Sequence, residues 1–415
     1  MIKQKLTSII MTAVLLGLVC FTGCSSENKG SSTPPASTDT PQAVQDTAAA
    51  PASTSDSAAA PAAADGQTAD GTIRVDDNLP ADVAAKEGPN GETPESASLL
   101  QLTPEEAAKI KEGNYTAAIC WHQGGDTYIT KHTQFITEML EEVGIKVIAV
   151  TDAGLSTEQQ LSDIETVMAM KPDIIIGEPV DAVATRQAWQ KVSEAGISLV
   201  FMDASGDGMK AGTDYVSCVS SDNYGNGVIT ADLMAQAIGE EGDVGMCYRN
   251  VNLYPVEQRK LGFMDTMESK YPNIKVAEAT PCETAADCED ATNAMLLKNP
   301  NLKGSFGWYD EPCIVIAAAA RSNGRNDFVV TGCDLGEDVA LALAQNDIVT
   351  GIAAQRIKAQ ARALGILGCY GLLEKQAPEF VAVPGLAVTH DNVADAWREC
   401  YGEEPSAEIL KAIGQ

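Results

Sequence analysis

The sequence predicts an α/β protein of two similar lobes, each a parallel sheet sandwiched by helices. Three observations lead there. Apolar runs of four to seven residues alternate with helical patterns, as βαβ units do. The alternation runs through two successive series of about 110 and about 130 residues. Helix-start and helix-stop residues punctuate both series. At 415 residues the chain is also too long for one core, because cores split beyond about 250 to 300 residues.

The first helix is signalled by "TPEEAAKIKEG": Thr103 as N-cap, Pro104 at N1, Glu106 at N3 and Gly113 just past the end. The first series then reads "YTAAIC", a helix over 127–143, "IKVIAV", a helix over 157–170, "DIIIG", a helix over 182–195, "ISLVFMD" and a helix from about 224 to 238. Ser156 with Gln159 repeats the capping box, and Gly144 and Gly196 close their helices. The second series reads "DVGMCY", helix 256–269, "IKVAEA", helix 285–297, "KGSFGW", helix 312–322, "FVVTGCD" and helix 336–345.

Upstream of these elements lie a leader and a tether. Lys3 and Lys5 precede an apolar run from Leu6 to Phe21, the charged and hydrophobic regions of a secretory signal. About 16 apolar residues is short for a membrane span, which needs about 20. Phe21, Thr22, Gly23 and Cys24 resemble a bacterial lipobox, with Phe where Leu is usual, so residues 1–23 are expected to be cleaved and Cys24 lipidated. Residues 24–98 are rich in Ala, Ser, Thr, Pro, Asp and Gly and are expected to form a disordered, lipid-anchored linker. As a coil, such a chain reaches roughly 45 to 50 Å.

The net charge is −30 and becomes −32 after cleavage, since two lysines and no acids leave. So acidic a surface repels phosphate backbones and anionic lipid, which excludes nucleic acid as a partner. Of 11 cysteines, nine remain beyond Cys24. Cys120, Cys218, Cys247 and Cys333 sit in strand-like segments, where a thiol is a small hydrophobe. Cys282 and Cys288 share a loop-like stretch, and whether they bridge is left open.

In open α/β sheets ligands bind beyond the carboxyl ends of the strands. Residues at those ends in the first series are Trp121, His122, Asp126 and Tyr128, then Glu178, then Asp203. The second series offers Arg249 and Tyr254, then Trp308, Tyr309 and Asp310, then Asp334. Aromatic faces beside carboxylates and an arginine suit a neutral polyhydroxylated ligand, whose C–H faces stack and whose hydroxyls meet acceptors and a donor fork. Nucleophile-elbow, P-loop and zincin motifs are absent, which argues against an enzyme. The three histidines, His122, His132 and His390, lack ligand-like spacing, so neither a metal nor a cofactor is expected. "GDGMKAG" from Gly206 is read as a surface turn.

From about Tyr115 to Trp397 the chain resembles the type I periplasmic sugar-binding proteins of ABC transporters, in the ribose- and galactose-binding branch. "ISLVFMDAS" is similar to the family strand that ends in a ligand-binding Asp, here Asp203. "VSSDNYGNG" matches the first crossing between lobes and places Asn223 at the hinge. "RKLGF" matches an Arg-x-x-Gly-Phe motif whose arginine, here Arg259, grips sugar hydroxyls. "VVTGCD" and "IAAQ" supply a strand-end Asp and a hinge Gln, hence Asp334 and Gln355.

The resemblance implies a three-strand hinge, an N-terminal lobe of 99–222 with about 356–380, and a C-terminal lobe of 223–355 with about 381–415. It implies a monomer that captures a monosaccharide or polyol and delivers it to an ABC permease. Presentation to a membrane receptor is the alternative, and a surface glycoside hydrolase using Asp203 and Asp334 is a weaker one. Departures fall in the pocket. Ala204 stands where Arg often follows the first Asp, Tyr309-Asp310 replaces Asn-Asp, and "CWHQGGDTY" replaces paired Phe residues and leaves Trp121 and Tyr128 for stacking. Arg259 and Asp334 are expected to be wet in an open cleft, so that replacing Arg259 leaves the unliganded fold intact.

Overall fold

The computed structural model describes residues 70–251 and 253–415, all within a single contact unit. The expected signal segment and Cys24 lie outside the described residues. An antiparallel pair, β1 (Ile73–Arg74) with β3 (Gln101–Leu102), brackets the short strand β2 (Pro94–Ser96). Then follow α1 (Pro104–Glu112), β4 (Thr116–Trp121), α2 (Thr127–Glu142), β5 (Lys146–Asp152), α3 (Thr157–Ala169), β6 (Ile174–Gly177), α4 (Arg186–Glu194), β7 (Ser198–Met202) and β8 (Ser217–Ser221). The next series is α5 (Asn223–Ile238), β9 (Gly242–Arg249), α6 (Tyr254–Lys270), β10 (Ile274–Cys282), α7 (Asp287–Lys298), β11 (Gly304–Gly307), α8 (Asp310–Ser322), β12 (Val329–Cys333), α9 (Glu337–Ala344) and β13 (Val349–Ala354). It closes with α10 (Ile357–Leu372), β14 (Phe380–Val383), β15 (Leu386–Val388), α11 (Val393–Tyr401) and α12 (Ala407–Ala412).

These strands form two sheets, one per lobe. The N-terminal lobe has the order β2-β14-β8-β7-β6-β4-β5, all parallel. The C-terminal lobe has the order β10-β9-β11-β12-β13-β15, parallel except for the edge strand β15. Strand alternation sends side chains to opposite faces, and both faces of the first sheet are apolar. Ala117, Ile119, Trp121, Ile174, Ile176, Val200 and Met202 pack in one core with α2 and α10 residues. Ala118, Cys120, Ile175, Leu199, Phe201 and Cys218 pack in another with Trp189 of α4. The near-continuous hydrophobic runs in the sequence follow from this two-sided burial.

The chain passes between the sheets three times: at Asp222 between β8 and α5, at Gln355–Arg356 between β13 and α10, and at Pro384–Gly385 between β14 and β15. The third crossing falls a few residues later than the expected 380/381 boundary, because β14 pairs with β8 and β2 of the N-terminal lobe.

The expected linker needs a larger correction: residues 70–98 do not belong to a tether. Ile73, Val75, Leu79 and Ala97 are buried in the core, and β2 forms the sheet edge. Polar contacts bind the stretch between them. The backbone N–H of Ala84 donates to Asp222 Oδ2 at 2.6 Å, and Tyr215 OH donates to Glu92 at 2.9 Å. Lys86 pairs with Asp265, and Tyr254 OH donates to the Glu87 carbonyl, so the strap touches both lobes. Its composition misleads because an extended strap anchored by sparse apolar residues has neither helical nor strand periodicity. Among the described residues no helix is long and apolar enough to cross a membrane. "GDGMKAG" lies in turns after β7.

Candidate functional site

The two strand-end aspartates occupy equivalent places in the two lobes. Asp203 follows β7 and Asp334 follows β12, and both have left-handed backbone, with φ of 57° and 70°. Each backbone N–H is held by the adjacent strand: Asp203 N donates to Val219 O and Asp334 N to Ala353 O, both at 2.9 Å. Left-handed backbone costs a non-glycine residue about 1 to 3 kcal/mol and clusters at functional sites. Asp tolerates it better than most residues.

Between the two aspartates runs a chain of hydrogen bonds through the hinge. Ser220 Oγ donates to Asp203 Oδ1 at 2.5 Å, and Asn223 Nδ2 donates to Ser220 Oγ at 2.9 Å. Asn223 Oδ1 accepts from Arg259 Nε at 3.0 Å, and the two terminal nitrogens of Arg259 reach Asp334 at 2.8 and 3.2 Å in a bidentate fork. Gln355 Nε2 donates to Asp334 Oδ1 at 2.8 Å. Tyr128 OH lies 3.2 Å from the side-chain oxygens of both Gln355 and Gln360, which returns the chain to the N-terminal lobe.

Local packing explains how Arg259 reaches this position. It sits on α6, which crosses α5 at very short range. A Cβ on Gly262 would lie 2.0 Å from Tyr224 O, and one on Gly227 would lie 2.2 Å from Arg259 O. The glycine of "RKLGF" is therefore a close-approach residue, and Phe263 beside it is buried against Phe306. Asn223, the first residue of α5, is also buried.

The N-terminal side is acidic. His122 Nδ1 lies 3.0 Å from Glu178 Oε2. Burial lowers the His122 pKa, but the hydrogen bond and charge of Glu178, then the charges of Asp203 and Asp126, outweigh it and leave it above the ordinary value. Asp203 is pushed up to about 7 by burial and by repulsion from Glu178, against the Ser220 hydrogen bond and the Arg259 and His122 charges. On the other side burial and the Asp334 charge push Asp310 up to about 6. Burial tends to lower Arg259, but Asp334 holds it above its usual range. Burial first, and then the charges of Asp203, Glu178 and Asp334, push the Tyr128 pKa well above its ordinary value, against the Arg259 charge.

The structure separates the remaining sequence-predicted residues. Trp121 is 2% exposed, its indole N–H donates to Thr133 at 2.7 Å, and its ring meets His132 edge-on. It fills the core beneath the site, as its place on the same strand face as Ile119 dictates, and does not stand free for stacking. Asp126 is exposed and caps α2 through Ile129 N. Tyr254 belongs to the strap contact with Glu87. Trp308 is 1% exposed, gives its carbonyl to Arg259, and keeps an indole N–H without a partner. Tyr309 packs edge-on against Trp308 and is half-buried. Arg249 Nε is likewise buried and unpartnered. Sequence reasoning missed Ser220, Gln360 and the neutral His132, which burial pushes down to about 4. They act through pairing across the fold, and no local signal marks them.

Two lobes joined by three crossings, with strand-end charges converging between them, define a hinged solute-binding architecture. Comparison with known proteins gives the family. The model of the periplasmic binding protein domain matches residues 117–365. The D-apiose import binding protein of Actinobacillus succinogenes is 25% identical over 57% of this chain and 76% of its own. The ribose import binding protein of Bacillus subtilis is 24% identical over 62% and 85%. A solved ABC transporter solute-binding protein from Actinobacillus succinogenes 130z, with bound D-allose, superposes with a TM-score of 0.60 at 25% identity, covering 68% of this chain and 99% of that one. An arabinose-binding protein from Geobacillus stearothermophilus, at 22% identity, has the same fold with a TM-score of 0.62 over 68% and 98%. The chain belongs to the periplasmic binding protein domain family.

The geometry overturns one expectation and generates two predictions. Arg259 is 5% exposed and is covered by its own protein partners, Asn223, the Trp308 carbonyl and Asp334, so it is not wet. Removing one partner of a buried pair costs about 3 to 5 kcal/mol. Arg259→Ala should therefore lose stability by that amount in urea unfolding of the ligand-free protein, and an unchanged midpoint would show a solvated guanidinium. The second prediction concerns pH. A carboxyl raised to about 7 when folded keeps the native state more protonated than the unfolded chain, so it makes stability fall as pH rises from about 4 to about 7. Asp203→Asn lacks that dependence. Its stability relative to the parent should rise by about 1 to 3 kcal/mol across the window. A flat difference in urea unfolding at constant ionic strength would contradict the buried-carboxyl assignment.

Proposed function

We propose that this protein is the extracytoplasmic solute-binding lipoprotein of an ABC importer, and that it captures a neutral monosaccharide or polyol between its closing lobes. The observation that supports this most is the pair of strand-end aspartates in left-handed backbone, tied through Asn223 and the Arg259 fork. Hydroxyls are donors and acceptors at once, and such a site offers fixed acceptors beside a fixed cationic donor. The relatives, import binding proteins for D-apiose and for ribose, point the same way.

In this reading Asp203, His122 and Glu178 meet the solute from the N-terminal lobe. Arg259, Asp334, Asp310, Tyr309 and the free indole N–H of Trp308 meet it from the other. Gln355 and Tyr128 report closure at the hinge, where Asn223 orients Arg259. Four carboxylates against one arginine and one histidine disfavour sugar acids and sugar phosphates. The lipobox-like Gly23-Cys24 provides the membrane anchor.

A thermal-shift panel of pentoses, hexoses, deoxyhexoses, polyols and sugar phosphates tests the ligand class. A bound ligand at 100 times its Kd adds about 2.7 kcal/mol, and a neutral member of the panel should raise the midpoint while the phosphates do not. Silence across all neutral members would remove the sugar-binder reading. Anchoring is checked by fatty-acid labelling in cells: Cys24→Ala should abolish incorporation, and continued labelling would place the lipid elsewhere.

A further inference from the structure

Away from the hinge relay, the C-terminal lobe gathers three cysteine side chains from three different elements. Cys247 belongs to β9, Cys282 ends β10 and Cys288 lies in the first turn of α7. Their sulfurs all lie within 4.8 Å of one another, all three residues are buried, and none is in a disulfide. Among the described residues this is the only such cluster of ligating side chains. The expectation of no metal had rested on the histidines alone.

The cluster is preorganised. Asp287 accepts hydrogen bonds from Glu283 N, Thr284 N and Thr284 Oγ1, which fixes the turn between Cys282 and Cys288. Glu283 and Thr284 are exposed, so this turn is also the short route from solvent. One helical turn beyond Cys288, Thr292 Oγ1 is buried without a hydrogen-bond partner.

From this geometry we propose that Cys247, Cys282 and Cys288 form a closed, sulfur-only site for a soft thiophilic metal ion of low coordination number, with monovalent copper as its preferred occupant. With every edge at or below 4.8 Å, the centre of the sulfur triangle lies at most about 2.8 Å from each corner, the edge divided by √3. Metal–thiolate bonds run to about 2.3 Å, so side-chain adjustments of about half an ångström close the site. Sulfur donors select soft ions, whereas zinc wants four ligands and calcium or magnesium want oxygen. Binding of Cu⁺ with release of one thiol proton leaves the pocket's net charge unchanged, which a buried site favours over a divalent ion. The ion then staples β9, β10 and α7 together, a structural role independent of the solute site.

The test uses the full chain, reduced under anaerobic conditions and titrated with Cu⁺ against a chromophoric Cu⁺ chelator. One tightly held equivalent is expected, with sulfur as its nearest neighbours in X-ray absorption and a raised melting midpoint. Cys282→Ser and Cys288→Ser should each weaken retention at least 100-fold, while Cys400→Ser, distant in sequence and outside the cluster, should retain it. The parent chain alone keeps the proposal falsifiable if a variant fails to fold. No equivalent retained by the parent, nitrogen or oxygen neighbours around the copper, or tighter binding of zinc than of copper in the same competition would each overturn it. Retention unchanged in both cluster variants would do the same.

Discussion

A buried guanidinium is the constraint on which the centre of this molecule turns. An unpaired charge in a protein interior is prohibitively costly, and a paired one persists only where geometry satisfies its donors. Arg259 has four such contacts: Asn223 Oδ1, the Trp308 carbonyl and both oxygens of Asp334. Each contact imposes something on the surroundings. Asn223 must sit where β8 becomes α5, α6 must approach α5 closely enough to exclude any side chain at Gly227 and Gly262, and Asp334 must turn back from β12 in left-handed backbone. Satisfying one cation therefore fixes the first crossing, a helix–helix contact and a strand-end loop together.

The two lobes contribute unequally to the site. In the C-terminal lobe Asp334 is already neutralised by Arg259, so in the proposed reading a solute hydroxyl there would meet an ordered ion pair whose reorganisation is small. In the N-terminal lobe Asp203 has a short hydrogen bond from Ser220, and burial first and the Glu178 charge second raise its pKa to about 7. Near neutrality such a carboxyl is partly protonated, so it is able to donate as well as accept. One half of the site is a fixed dipolar clamp and the other an adjustable donor–acceptor, a combination matched to hydroxyl groups, which do both.

Residues whose placement follows from local pattern were legible in the sequence, and those placed by long-range pairing were not. Asp203 and Asp334 sit at strand ends, where a period change marks the position, and Arg259 was reached through the resemblance carried by "RKLGF". Ser220, Gln360 and His132 become visible only when β8, α10 and α2 are brought together. Trp121 was misjudged although the signal was present: Ala117, Ile119 and Trp121 share one strand face, and that face is core. The strap was misjudged for a different reason. Ile73, Val75 and Leu79 are too sparse to make a pattern, yet each fills a place in a core built by the rest of the chain.

The strap joins the lobes without stiffening them, and magnitudes decide this. Its contacts with the C-terminal lobe include an exposed Lys86–Asp265 pair, the Lys86 ammonium over the Tyr224 ring and one tyrosine hydroxyl on a carbonyl. Exposed pairs contribute about 0 to 1 kcal/mol, and a single neutral hydrogen bond about 0.5 to 1.5. In the proposed reading such contacts do not resist closure of the lobes, since a solute bound at a Kd of about 1 μM would supply about −8 kcal/mol. The contact between Ala84 N and Asp222 is of another kind. Asp222 also accepts from Gly225 N as the N-cap of α5, so one carboxylate holds both the strap and the start of the helix at the first crossing. The strap is thus held at the first crossing by a buried carboxylate and against the C-terminal lobe by weaker, exposed contacts.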